Sequence, residues 1–253
     1  MGFEERKQPF RPLIPNVRFL KFNDEKDLSK ITSKTAAVVL ETIQGGAGFI
    51  QPKNNYLNKV QKRCNDVGAL LILDEIQPGF GRTGTLFGFE NYNCTPDVIV
   101  VGKGLGGGMP IGAFSASQSM MDCLSDQPKL GHITTFGGHP VIAAAALATL
   151  KEILNSKLMQ EALKKEFYIR RKLKHPLISE IRGKGLMLCA ITNSAQTTNR
   201  VVTTAIEKGL ILFWLLYEPK AIRITPPLTI SMQALEKGCD TIPEILDGIY
   251  KDC

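Results

Sequence analysis

The sequence predicts an α/β fold: a mostly parallel sheet, followed by a smaller α+β part. Two observations carry this expectation. First, short continuous apolar runs at residues 36–41 (AAVVLE), 69–74 (ALLILD) and 98–101 (VIVV) alternate with segments of helical periodicity. Apolar runs of about 4–8 residues read as buried strands, and their alternation with helices suggests parallel strands covered on both faces. Second, two of these runs end in an acid, Glu41 and Asp74, and the third enters a glycine-rich stretch after Val101. Ligands of parallel sheets bind beyond the carboxyl ends of the strands, so these three ends mark the expected site.

Taken in order, residues 1–30 are polar and contain prolines, which predicts an irregular lead-in. A strand at 36–41 is followed by a helix over 54–67, strands at 69–74 and 98–101, and a fourth strand at 111–116. Residues 139–173 are helical in pattern, with an alanine-rich start. Residues 180–230 alternate strand-like runs with a helix near 197–208. Ser231 is placed to cap a last helix, and Pro243 is expected to break or kink it. A domain change is expected near residue 155, dividing the chain into residues 1–155 and residues 156–253.

With 253 residues, 43% hydrophobic and 22% charged, the chain can bury a sizeable core. Its longest greasy stretch, 209–217, is strand-sized and far short of the roughly 18 residues of a membrane helix. Residues 1–11 carry charges of both signs and no apolar core, so they do not form a secretory signal. The net charge, 31 − 24 = +7, raises the question of an anionic partner. The basic residues are scattered, however. Their densest cluster, Lys164 to Lys174, lies on a helical pattern. It reads as a solvated helix face, and no nucleic acid partner is expected. Six widely spaced cysteines without a C-x-x-C pair argue against a disulfide framework and a zinc site. Reduced thiols in a cytoplasmic protein are expected.

The chemistry concentrates in VIVVGKGLGGGMPI, residues 98–111. Three readings compete for it. A P-loop requires Ser or Thr after the lysine and glycine at position 97; the chain has Gly104 and Asp97. A dinucleotide fingerprint is matched by Gly102, Gly104 and Gly107, but equally by Gly79, Gly81 and Gly84, and neither match opens a helical pattern. The third reading makes Lys103 a nucleophilic amine, partly desolvated at a strand end. Alone, Lys103 would be read as a surface lysine. Asp74, 29 residues earlier at another strand end, changes the balance. A carboxylate there needs a partner, and a pyridinium nitrogen provides one. Ile76 can cover a ring face and Gln77 can donate to a phenolic oxygen. Read structurally, Asp74 is a helix cap or half of a buried ion pair.

LILDEIQPGFGRTG followed by PDVIVVGKGLGGGMPIGA resembles the signature of class III aminotransferases of the ornithine and acetylornithine type. The similarity extends over nearly all of residues 30–250. The resemblance implies the fold type I of pyridoxal 5′-phosphate (PLP) transferases, with an incomplete large domain at residues 1–155 and a small domain at 156–253. It implies transamination between an amino acid or ω-amine and a 2-oxo acid such as 2-oxoglutarate. Lys103 then binds the cofactor covalently and shuttles the proton. Asp74 pairs with the ring nitrogen, Ile76 packs on the ring and Gln77 meets the ring oxygen. Thr135, in HITTFGGHP, matches the residue that holds the cofactor phosphate of the neighbouring subunit, which implies a homodimer with shared sites. Arg223, in IRITPPLTI, matches the arginine that grips a substrate carboxylate, a task suited to a bidentate fork. An aminomutase of the same class keeps the same lysine and aspartate. An inactive fragment, or a subunit that needs an N-terminal partner, is the alternative outside catalysis.

The chain departs from the family pattern in three places. Gly46 stands where ornithine-type members have a glutamate that pairs with the carboxylate-binding arginine. His139 stands where asparagine is usual. Nothing in residues 1–30 resembles the loop that binds the cofactor phosphate within the subunit.

Overall fold

The computed structural model describes residues 3–129 and 132–251. The lead-in holds a single helical turn, α1 (Glu4–Lys7), and two 3-10 turns. The first sheet has the order β1-β2-β3-β4, from β1 (Ala37–Glu41), β2 (Leu70–Asp74), β3 (Val98–Gly102) and β4 (Gly112–Ser115). β1, β2 and β3 are parallel, while β4 runs antiparallel along the edge of β3. The crossover α2 (Tyr56–Val67) ends on Gly68, whose φ of +76° is readily accepted only by glycine.

One face of this sheet forms a core. Val38, Leu71 and Leu73 pack with Leu57, Val60 and Cys64 of α2. The alternation of side chains puts Val39, Ile72 and Asp74 on the other face. No described helix covers that face there, and Val39 is 54% exposed. The expected cover on both faces is therefore present on one face only.

Beyond α3 (Gln118–Asp126) the helical stretch at 139–173 is two helices, α4 (Pro140–Asn155) and α5 (Leu158–Lys172), broken at Ser156. The second sheet has the order β5-β6-β8-β7 and is antiparallel throughout. Its strands are β5 (Ile178–Lys184), β6 (Met187–Thr192), β7 (Phe213–Trp214) and β8 (Ala221–Ile224). α6 (Ala195–Glu207), α7 (Met232–Lys251) and α5 pack on it around Leu188, Ala190, Ile222 and Leu246. The Ser231 hydroxyl accepts from Ala234 N, as expected of a cap. Pro243 does not break α7. The helix loses one backbone bond there, but Leu235, Cys239, Ile242, Ile245, Leu246 and Ile249 on one buried face hold it to the sheet.

Among the described residues no helix is long and apolar enough to cross a membrane, and no cluster of three His, Cys, Asp or Glu side chains is placed to hold a metal.

Candidate active site

The carboxyl ends of β1, β2 and β3 meet at one place. Glu41 and Asp74 are register partners on adjacent parallel strands, so their side chains leave the same face. Gly45 N donates to Glu41 Oε2 at 2.8 Å. Burial pushes the Glu41 carboxyl above its ordinary value; the Gly45 bond opposes this, and the Asp74 charge adds to it. Ile76 N donates to Asp74 Oδ1 at 2.9 Å. Oδ2 of Asp74 has no hydrogen-bond partner among the described residues.

Gln77 lies over Gly45: a Cβ at position 45 would sit 2.4 Å from Gln77 Oε1. A larger residue there would displace the Gln77 amide from its place. The next residue after Asp74 turns the opposite way. Glu75 is fully buried and accepts from Thr42 Oγ1, Gly88 N (2.6 Å) and Phe89 N (3.1 Å). It ties the loop after β2 back to β1.

Lys103 follows β3 with φ +43°, a left-handed conformation uncommon outside glycine. Phe80, on the facing loop, has φ +55°. Strained residues of this kind persist where the surroundings over-determine them, often at functional sites. Lys103 itself is exposed. The partial desolvation expected for it is not supplied by the described residues, because the face above β1–β3 is open.

A cavity of about 660 Å³ gathers Ile76, Gln77, Lys103 and Arg223. Arg223 comes from β8 of the second sheet and donates through Nε to Thr225 Oγ1 at 3.0 Å. Asp74 lies at the strand end from which Ile76 and Gln77 continue. Thr135 is not brought to this cavity; it stands exposed on the segment before α4. His139 is the residue before α4, and its side chain makes no capping bond. Gly46 has a physical reason. Tyr217 N donates to its carbonyl at 2.9 Å, and a Cβ there would press on the Tyr217 ring at 3.0 Å.

Two charged residues of the site were not singled out from the sequence. Arg82 lines the cavity beside Arg223, and Glu152 of α4 lines it as well. Arg82 lies in the glycine-rich GFGRTG run, where a weak nucleotide motif drew attention to the glycines instead.

These groups fit the ring end of a pyridoxal cofactor. An amide donor, an apolar side chain and a primary amine line one cavity, and a carboxylate oxygen without a partner among the described residues stands at the adjoining strand end; Gly45 leaves room for the amide. Asp74, Gln77, Ile76 and Lys103 would hold the ring.

Comparison with known proteins gives the family. The family model Aminotransferase class-III matches residues 3–246. The ornithine aminotransferase of Toxoplasma gondii ME49 superposes with a TM-score of 0.91 at 30% identity, over 100% of this chain and 61% of that one. The N-acetylornithine aminotransferase of Stenotrophomonas maltophilia K279a gives 0.82 at 31% identity, over 93% and 63%. The acetylornithine aminotransferase of Elizabethkingia anophelis gives 0.84 at 31% identity, over 95% and 62%. The chain thus spans about three fifths of the length of these solved relatives. A second Toxoplasma gondii structure is described with partial occupancy of PLP at its active site. The chain belongs to the class III aminotransferases, a PLP-dependent family of fold type I.

Proposed function

We propose that the chain carries the catalytic lysine of a transaminase that moves an amino group from an amino acid or ω-amine, ornithine-like or acetylornithine-like, to a 2-oxo acid such as 2-oxoglutarate. The observation behind this reading is the single cavity that contains both Lys103 and Arg223, with Asp74 at the adjoining strand end. The cofactor, when bound, supplies an electron sink for the charge that develops at the substrate carbon. Asp74 Oδ2 is free to hold the positive charge of a ring nitrogen, and Gln77 to donate to a ring oxygen. Ile76 covers one ring face. Lys103 Nζ would hold the cofactor and would carry the proton at the reacting carbon. Arg223 holds a substrate carboxylate through its fork. With glycine at 46, no carboxylate from that position competes for Arg223, and Arg223 makes no ion pair among the described residues.

Thr135 reaches a cofactor phosphate only in a second copy, so the reading includes a homodimer with shared sites. A cytoplasmic setting is consistent with the free thiols of Cys64, Cys94, Cys123, Cys189 and Cys239. The open face over β1–β3 and the exposure of Lys103 favour a second reading, a subunit whose cofactor site is completed by another polypeptide segment.

Mixing the purified chain with PLP, reducing with borohydride and mapping the modified peptide tests both. A pyridoxyl adduct on Lys103, absent in Lys103→Ala, supports the transaminase reading and opens a screen of amine donors. A folded chain that stays unlabelled rejects autonomous cofactor binding and leaves the subunit reading. Release of the amine to a separate acceptor distinguishes transamination from an internal amine shift.

A further inference from the structure

We infer that Arg82 is a positioning residue for Arg223, and that the two guanidiniums together make their end of the cavity selective for a dicarboxylate. The inference rests on the carboxylate-binding role proposed above for Arg223.

The two arginines come from different sheets. Arg82 belongs to the loop after β2; Arg223 sits on β8. Both line the same cavity. Arg82 is fixed by carbonyls and not by a carboxylate. Its Nη1 donates to Pro226 O at 2.5 Å and to Leu186 O at 3.3 Å. Pro226 is three residues past Arg223, on the segment that leaves β8. The guanidinium therefore pins the exit of the strand that presents Arg223. The Arg82 backbone is held from the same side: Leu186 N donates to its carbonyl at 2.9 Å. The β5–β6 turn presses on it closely enough that a Cβ at Gly185 would lie 2.4 Å from Arg82 O.

This anchoring uses only Nη1. Nε and Nη2 of Arg82 make no hydrogen bond among the described residues. A guanidinium offers five donors in a fixed fork, so several remain for a ligand. Neither Arg82 nor Arg223 has an ion-pair partner among the described residues. Burial, together with the nearby Arg223 charge, lowers the Arg82 pKa from its ordinary value. Two half-buried cations that repel each other are an unfavourable arrangement unless an anion joins them, and Glu152, which lines the same cavity, makes no ion pair with either among the described residues. An anion with two charges compensates both, where a single carboxylate leaves one uncompensated. A lysine at position 82 would keep the charge but not the further donors of the fork, Nε and Nη2, that the carbonyl bonds leave over.

The test uses the cofactor-free chain and two probes of the same carbon number, glutarate with two carboxylates and pentanoate with one. Titration calorimetry gives the affinity of each for the wild type, Arg82→Met and Arg82→Lys. Glutarate is expected to bind the wild type about tenfold more tightly than pentanoate, the scale of one charge-assisted contact. Arg82→Met should remove most of that ratio, and Arg82→Lys should reduce it about threefold. A residue with a merely structural role would lower the melting temperature and leave the ratio of the two affinities unchanged. The inference is overturned if folded Arg82→Met keeps the wild-type ratio, or if the wild type does not prefer glutarate. If Arg82→Met does not fold, an unchanged ratio in Arg82→Lys overturns it equally. Borohydride trapping of PLP on Lys103 in the same preparations separates this result from the transaminase reading. Trapping with no Arg82 effect rejects only the arginine pair. An Arg82 effect without trapping rejects only the cofactor reading.

Discussion

A fully buried carboxylate that satisfies three donors is a fixed point in a fold, and Glu75 is one. Glu75→Ala leaves Thr42 Oγ1, Gly88 N and Phe89 N without an acceptor. At about 1–3 kcal/mol for each buried group left unpaired, the loss should be roughly 3 kcal/mol or more, read from urea unfolding. A loss under about 1 kcal/mol would mean that water replaces the carboxylate. Glu41 carries a pH signature instead. Burial, with a further contribution from Asp74, raises its pKa above the ordinary 4.5. A carboxyl raised in the folded state binds its proton more tightly there. Its contribution to stability is complete below the unfolded value and is lost as pH rises through the folded one. Glu41→Gln should therefore flatten the fall in stability on going from pH 4.5 towards neutrality. Parallel wild-type and variant curves would reject this. The thiols differ in the same way. Burial pushes Cys64, Cys94 and Cys239 up to about 11 and Cys189 up to about 12, while Cys123 is exposed. At mildly alkaline pH, iodoacetamide should label Cys123 and spare these four, as peptide mapping would show.

The site depends on how elements meet, and the β5–β6 turn is the decisive contact. Gly185 has φ +60° and no room for a Cβ beside Arg82 O and Thr83 Cα. Gly185→Ala adds backbone strain of about 1–3 kcal/mol before the clash is counted. It should lower the melting temperature and also weaken carboxylate binding, because the displaced partner is Arg82. A thermal loss with binding intact would separate the turn from the site. β1, β2 and β3 were legible because each is an uninterrupted apolar run with an acid or glycines at its end. The register that sets Glu41 beside Asp74 was not, since it is fixed by the packing of α2 beneath. The break between α4 and α5 was missed because Ser156 and Lys157 are ordinary helix residues; Gly or Pro would have announced it. Pro243 misled in the opposite direction, since local propensity gave way to the six buried residues of α7. Lys103, Asp74, Ile76, Gln77 and Arg223 were singled out through a motif. Arg82 was not, because its partners, Pro226 and Leu186, are more than a hundred residues away and are backbone carbonyls that no sequence pattern displays.

At the scale of the whole molecule, the most consequential feature is apolar surface without a cover. Val39 and Phe114 face outward from the first sheet. α4 buries Ala146 and Ile153 but leaves Val141, Leu147 and Leu154 each more than half exposed. Leu147 and Leu154 are two turns apart on one helix face, so their surfaces join. Contiguous apolar area of this kind marks an interaction surface or a liability to association. Burial of apolar surface favours contact by roughly 25 cal/mol per Å², and the strand edge beside β4 offers unpaired backbone groups to the same contact. The chain should therefore sediment heavier than its 27.8 kDa, with a distribution that moves upward with concentration. Leu147→Lys with Leu154→Lys should move it back towards the monomer, because two charges cannot be buried without partners. The same double variant should leave unfolding by urea nearly unchanged, as neither side chain belongs to a buried cluster. A wild-type chain that stays at 27.8 kDa across concentration would show that this face does not bind a second copy. The homodimer, and the role of Thr135 within it, would then lose its support, and a different polypeptide would become the partner to seek.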